Sequence, residues 1–263
     1  MTTNIYDGDA KCMATDSRWS IEYGSWLFYL DDTGYEKIER CNGVALMFAG
    51  RGKKIQEYKD WIRSKPEDAS NMPDVKGMSV CMVDEASGAV EFAKHQDIEA
   101  GNVRCAGSGA RWAFNCWSDN KCAKTAVNTA MSRDFFSGGP VKYIDFANPA
   151  TNLVSYAAQN QLTIETITKN ILQRGIAMKI HAIPPGTPNL PFAKVDAAVA
   201  AQVDSGSASA ANDDERAARA AVEQLVAAGK LGATAPCDGM HNDWSEDDKA
   251  DFQRALGKMF RWK

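Results

Sequence analysis

Apolar and polar positions change rhythm several times along this chain, and the changes predict its elements. Asn4-Ile5-Tyr6 is β-prone, Asp7-Gly8 supplies a two-residue turn, and Lys11-Cys12-Met13-Ala14 returns, so residues 2–16 read as a β-hairpin. Ser25 to Asp31 is an aromatic, strand-prone run broken by Asp32-Thr33-Gly34, and Tyr35 to Glu39 alternates. Gly43 to Ala49 is continuously apolar and closed by Gly50, the pattern of a strand buried on both faces. From Lys53 to Arg63 the period becomes helical, with Ile55, Tyr58 or Lys59, and Ile62 on one side. Pro66 and Pro73 mark a loop. Met78 to Val83 and Ala89 to Ala93 form a second hairpin around Glu85-Ala86-Ser87-Gly88. Arg104 to Gly109 reads as a glycine-bracketed turn, followed by helices over Ala110–Trp117 and Lys121–Ser132 and a strand over Val141–Phe146.

The later residues are patterned differently. Leu162, Ile164, Ile167, Ile171 and Leu172 give an apolar stripe within 152–175, the usual sign of core or interface. Ile183 to Pro191 carries four prolines and is extended and stiff. Val203 to Asn212 turns small and polar, as a linker does. Acids at Asp213-Asp214-Glu215 open a helix that Gly229 ends, and Ser245-Glu246-Asp247-Asp248 opens a last one. Its tail, Arg261-Trp262-Lys263, suits either a neighbouring subunit or its own domain. Strands, helix, strands, two helices, strand is an order that predicts an α/β (α+β) fold with two stacked antiparallel sheets and outer helices, a four-layer αββα sandwich. A mainly helical C-terminal extension follows. The expected organisation is a first domain over 1–150, a helical and Pro-rich connection over 151–203, a flexible linker over 204–212 and a helical extension over 213–263.

Composition narrows the classes. The 263 residues are 44% hydrophobic and 24% charged, a globular balance that excludes a disordered chain. Net charge is −4 and the only basic cluster is Arg51-Gly52-Lys53-Lys54, which disfavours nucleic acid and membrane surfaces. No apolar run spans a bilayer and the N-terminus has no secretory pattern, so a cytoplasmic location is expected. Seven cysteines without a CxxC pair fit reduced thiols. His95, His181 and His241 are scattered, so no metal is expected. Gly50-Arg51-Gly52-Lys53-Lys54 lacks the length and the Ser/Thr of a phosphate loop, so no nucleotide or other cofactor is expected.

The candidate chemistry sits at the N-terminus. If Met1 is removed, Thr2 carries a hydroxyl and a free α-amine, a nucleophile and its base on one residue. Asp16 arrives at the end of the return strand, near Thr2. Other candidates have plain alternatives: Lys37 as a solvated charge, Asp16 or Ser108 as caps, Gly50 as a strand break, Asp134 and Ser137 as turn residues.

Thr2-Thr3, Ala14-Thr15-Asp16-Ser17-Arg18, Lys37-Ile38, Phe48-Ala49-Gly50, Gly107-Ser108-Gly109 and Arg133-Asp134-Phe135-Phe136-Ser137-Gly138-Gly139 occur in one order over about residues 2–150. This stretch resembles the proteasome β-subunit and bacterial HslV family of N-terminal nucleophile hydrolases. The Arg-Asp-x-x-Ser-Gly-Gly run is the most specific match. The resemblance implies that Thr2 attacks a peptide carbonyl with its own amine as proton carrier. It implies Lys37 as the cation beside the hydroxyl, Asp16 as its partner, and Gly50 N–H as the oxyanion donor. It also implies that Ser108, Asp134 and Ser137 orient the Thr2 amine and that Phe48 lines the base of an apolar, shallow substrate pocket.

The chain departs from that pattern in a tighter first hairpin, in a longer segment between Asp16 and Lys37 that carries Trp26-Leu27-Phe28-Tyr29, and in Glu36-Lys37 where the family has a lysine pair. The resemblance implies a threonine-type endopeptidase in a homo-oligomeric ring, fed with peptide substrate by a separate ATPase unfoldase. Two other readings stay open: an inactive structural or assembly protein of the same fold, and an amide hydrolase acting on a small substrate.

Overall fold

A computed structural model describes residues 2–155, 158, 161–180 and 208–262. Met1, the Pro-rich run at 183–191 and positions 204–207 of the expected linker lie outside the described residues. The first half runs β1 (Asn4–Asp7), β2 (Cys12–Thr15), β3 (Trp19–Tyr23), β4 (Trp26–Leu30), β5 (Ile38–Cys41), β6 (Val44–Arg51) and α1 (Gly52–Arg63). Then come β7 (Met78–Asp84), β8 (Val90–Lys94), β9 (Ile98–Ala100), β10 (Val103–Ala106), α2 (Ala110–Asn120), α3 (Ala123–Met131), β11 (Lys142–Asp145) and β12 (Ala150–Thr151). The second half adds α4 (Ile164–Arg174), β13 (Ile176–Lys179), α5 (Ala208–Ala227), β14 (Thr234–Ala235), a 3-10 turn (Asp238–His241) and α6 (Glu246–Phe260).

Two sheets form, and the described strand pairs are antiparallel. One has the order β12-β11-β2-β1-β10-β9; the other is β13-β4-β3-β14-β6-β7-β8, with β5 also paired to β6. Side chains of successive strand residues leave opposite faces, and the packing follows that rule. Ile5 joins α2 and α3 in a cluster with Ala14, Cys105, Ala126 and Ala130, while its neighbour Tyr6 turns the other way. Tyr6, Met13 and Ile144 of the first sheet share a cluster with Ala45, Met47, Cys81 and Val83 of the second. Leu46 and Phe48, alternating with Ala45 and Met47, face the largest cluster with residues of α1, α4 and α6. The apolar run predicted to be buried on both faces is therefore β6, and both of its faces are covered.

Several short strands differ from the sequence reading. Arg104-Cys105-Ala106, read as part of a turn, belongs to β10, which pairs with β1 in register Ile5↔Cys105. Three or four residues are too few to display a period, so such strands are specified by the partner already in place. α5 begins at Ala208, so the last positions expected in the linker are helical; an alanine-rich run has helix propensity whatever its polarity.

The second half is woven into the first. β13 pairs with β4, in register Ile176↔Tyr29 to Lys179↔Trp26, and β14 pairs with both β3 and β6. α6 starts in a reciprocal capping box between Ser245 and Asp248 and buries Phe252, Ala255, Leu256 and Met259. The aromatic tail packs on its own chain: Trp262 Nε1 donates to Pro66 O at 2.7 Å, and its ring stacks on Phe260 and meets Trp61 edge-on.

Phe252 is fully buried against Tyr58, Phe92 and Trp244. Phe252→Ala is expected to lower the unfolding free energy of the whole chain by about 3–5 kcal/mol, read by denaturant titration. A detachable helix would leave the main transition unmoved.

All seven cysteines are free thiols. Burial pushes the Cys12, Cys81 and Cys105 thiols up to about 12, whereas a bond from the Thr125 hydroxyl lowers that of Cys122. In the native protein Ellman's reagent is expected to titrate Cys122 early, and Cys12, Cys81 and Cys105 only on unfolding.

Candidate active site

The first hairpin brings Thr2 and Asp16 together. Its turn is fixed by Asp7, whose Oδ1 accepts from the backbone N–H of Asp9 (3.1 Å) and Ala10 (3.0 Å). Beyond the strands, Asp16 N donates to Thr3 O at 3.1 Å, so the ladder continues to the site. Asp16 Oδ1 accepts from Thr2 Oγ1 (2.5 Å), Thr3 N (2.8 Å) and Lys37 Nζ (2.7 Å). Its Oδ2 accepts from Arg18 N and Gly138 N, both at 3.1 Å. Lys37 Nζ also donates to Thr2 Oγ1 at 2.5 Å. A hydroxyl is thus held between an ammonium and a carboxylate.

The long segment between Asp16 and Lys37 does not displace the lysine. It folds into the β3–β4 hairpin, and Arg18 closes its base with a bidentate pair to Asp31, Nε–Oδ1 2.7 Å and Nη2–Oδ2 2.9 Å. The same guanidinium donates from Nη1 to Phe135 O at 2.6 Å and stacks 3.7 Å over the Tyr29 ring. The chain then re-enters the sheet, where Phe48 N donates to Lys37 O at 2.9 Å and sets the lysine opposite Thr2.

Lys37 is not a surface charge. It is 1% exposed, and Thr2 and Asp16 are fully buried. Burial pushes the Lys37 pKa below the ordinary lysine value, and the charge and hydrogen bond of Asp16 oppose that push.

A second cluster lies alongside. Asp134 Oδ2 accepts from Ser108 Oγ at 2.5 Å and from Ser137 Oγ at 2.6 Å, and Ser137 Oγ is 2.7 Å from Thr3 Oγ1. Ser108, Asp134 and Ser137 therefore come together, but among the described residues they meet the N-terminal strand at Thr3 and not at the Thr2 nitrogen. The Thr2 backbone is gripped by the glycine turn: Gly109 N donates to Thr2 O at 3.3 Å, and a Cβ on Gly107 (φ 99°) would lie 1.9 Å from that oxygen.

Gly50 has φ 129°, and a Cβ there would meet Gly77 O at 2.4 Å, so the neighbouring chain itself demands glycine. Phe48 is fully buried in the largest core cluster, its carbonyl accepting from Asn4 Nδ2 at 3.0 Å. Its ring is core and is not presented to solvent as a pocket floor.

Thr3, Arg18 and Gly138 form part of the site although no individual role for them is legible in the sequence. Their signal was position: each sits inside a short motif whose neighbours were singled out. The lone hydroxyl of Thr3 says nothing until Ser137 is brought beside it.

No family model and no curated protein matches the chain. Among solved structures it is similar to the BPH of Thiobacillus denitrificans in complex with epoxomicin, at 15% identity and a TM-score of 0.42, over 55% of this chain and 97% of that one. BPH from the same organism also aligns at 14% identity and 0.35, over 55% and 96%. The eukaryotic HslV of Trypanosoma brucei aligns at 16% identity and 0.25, over 48% and 97%. The likeness is distant and partial, and about half of this chain has no counterpart in it.

Removing the charge of Asp16 leaves Lys37 buried without its partner. Asp16→Asn is expected to cost about 3–5 kcal/mol of stability near neutral pH. The loss shrinks as pH rises, because Lys37, with its lowered pKa, sheds its proton and no longer needs an anion. Denaturant unfolding of both proteins at several pH values reads the difference; a loss independent of pH would remove Lys37 as its cause.

Proposed function

We propose that the chain is a threonine-type hydrolase that cleaves peptide bonds with Thr2 as nucleophile once Met1 is removed. The observation that carries this reading is the position of Thr2 Oγ1, 2.5 Å from Lys37 Nζ within a buried Lys37–Asp16 pair. A free Thr2 amine takes the hydroxyl proton as the oxygen attacks the carbonyl. The Lys37 ammonium stabilises the negative charge that develops on that oxygen, and Gly50 N–H donates to the oxyanion. Collapse of the tetrahedral intermediate breaks the C–N bond and forms an ester on Thr2, the α-ammonium passing its proton to the leaving nitrogen so that the amine product departs neutral. Water, deprotonated by the same α-amine, then frees the acid. Ser108, Asp134 and Ser137 act as a relay that fixes Thr3, and through it the direction of the Thr2 amine.

The fold we infer around this site is the four-layer αββα sandwich. Its support is the cluster of Tyr6, Met13 and Ile144 with Met47, Cys81 and Val83, and the helices on the far face of each sheet. Assembly of several copies belongs to the same proposal. A second reading, a non-hydrolytic structural protein of this fold, is favoured by one observation: the Thr2 side chain is wholly enclosed.

Intact mass of the purified protein separates the two. Loss of Met1, followed by a mass shift on Thr2 with a threonine-directed covalent inhibitor, supports the hydrolase; full retention of Met1 in the native assembly supports the structural protein. In the active form Lys37→Met is expected to lower turnover by about 10²–10³-fold with little change in KM. Turnover of the wild type is expected to fall as pH rises toward the ordinary lysine value of about 10.4, since the lowered Lys37 pKa empties the ammonium earlier. Turnover that is unchanged in Thr2→Ala sinks the assignment.

A further inference from the structure

A two-residue strand from the second half lies in the middle of a sheet otherwise built mostly from the first. β14 separates β3 from β6, with Thr234 opposite both Ser20 and Arg51 and Ala235 opposite Gly50. Bonded pairs in an antiparallel ladder recur at every second residue, and each exchanges both N–H···O bonds. Gly52 N donates to Ala233 O at 3.1 Å on the β14 side, while Arg51 N donates to Gly77 O at 3.1 Å on the β7 side. Gly50 therefore turns its N–H toward β14, and the Ala235 carbonyl faces it. The backbone donor assigned to the oxyanion already has a carbonyl before it.

The strand is lightly held. Ala233 N donates to Thr168 Oγ1 at 3.0 Å and Thr234 Oγ1 to Ser20 O at 3.2 Å. Its buried side chains, Ala233 and Ala235, are the small methyls. Gly229 and Gly232 precede it and Pro236 stops the ladder beyond it. A cavity of about 440 Å³ runs beside it, walled by Ile21, Glu22, Pro236, Cys237 and His241 and also by Ser108, the residue bonded to Asp134. Without β14, both β3 and β6 would present unpaired backbone groups, which is the surface that takes an extended peptide as an added strand.

We propose that residues 231–237 are an internal occupant of the substrate cleft: the gap between β3 and β6 binds an extended peptide with small side chains, and the chain closes that gap with its own Ala233-Thr234-Ala235. This rests on the reading of Gly50 as the donor beside Thr2. Opening the cleft means releasing β14 while α5 and α6 stay packed. A substrate then competes with this segment for the same backbone groups, and the closed chain is latent.

The test uses the full chain and a fluorescein-labelled peptide with the sequence of residues 230–237. Ala235→Pro removes the N–H that faces Gly50 and leaves α6 in place. The variant is expected to stay folded by circular dichroism, to exchange the amides of Gly50 and Gly52 faster than the wild type, and to bind the peptide at least about tenfold more tightly. Added peptide is expected to restore their protection. A folded variant with exposed amides that ignores the peptide overturns the proposal, and so does equal binding by the wild type. Should the variant not fold, native-state hydrogen exchange of the wild type decides. Gly50 and Gly52 are expected to exchange through a local opening well before Leu46 and Phe48, whereas exchange only on global unfolding overturns it. Binding and exchange need no turnover, so an inert Thr2 sinks the hydrolase reading without touching this outcome.

Discussion

A single buried carboxylate holds the centre of this molecule together. Asp16 accepts five hydrogen bonds, from Thr2, Thr3, Arg18, Lys37 and Gly138, and those donors come from four separate stretches of chain. Taking Lys37 into a dry interior is costly, and the cost is offset only while a carboxylate stands 2.7 Å away with its other lone pairs satisfied. The hairpin, the β3–β4 excursion and the Ser137-Gly138 turn are thereby fixed relative to one another. The arrangement is also what makes the Thr2 hydroxyl chemically unusual, since a weak nucleophile gains from a neighbouring cation only where water does not screen it.

How much of this could be read beforehand depended on the range of the interaction. The first hairpin, β6, α1, the β7–β8 hairpin and the capped α6 announced themselves because turn residues, apolar runs and caps act within a few residues. Asp16, Lys37, Ser108, Asp134 and Ser137 could be named from local motifs. What could not be read was their contact pattern. The Asp134 cluster reaches the N-terminal strand through the Thr3 hydroxyl, a contact between residues 134 positions apart. Phe48 looked like a pocket residue from its place before Gly50, yet alternation in a doubly covered strand sends its ring into the core. β9, β10, β13 and β14 were missed for a shared reason: two to four residues carry no periodicity, and each is defined by the strand it pairs with.

The long excursion after Asp16 shows how added chain can be accommodated. The Arg18–Asp31 fork ties its two ends, so whatever lies between them is a closed arm and Lys37 returns to the same place. The arm is not idle. β4 receives β13, so the excursion is one of the places where the second half of the chain docks.

The central place of β14 has a consequence for how the protein is made. Ser20 and Gly50 leave the ribosome long before Ala235 does, so the sheet is synthesised with its middle missing. Until Thr234 and Ala235 emerge, β3 and β6 expose two facing, unpaired edges, the kind of surface on which nascent chains associate with one another. The contact order of this join is high, and closing it is a slow event by comparison with the local hairpins. Biogenesis therefore places a demand that the finished fold conceals: the two edges stay open to other chains until the chain's own β14 arrives to fill the place between them.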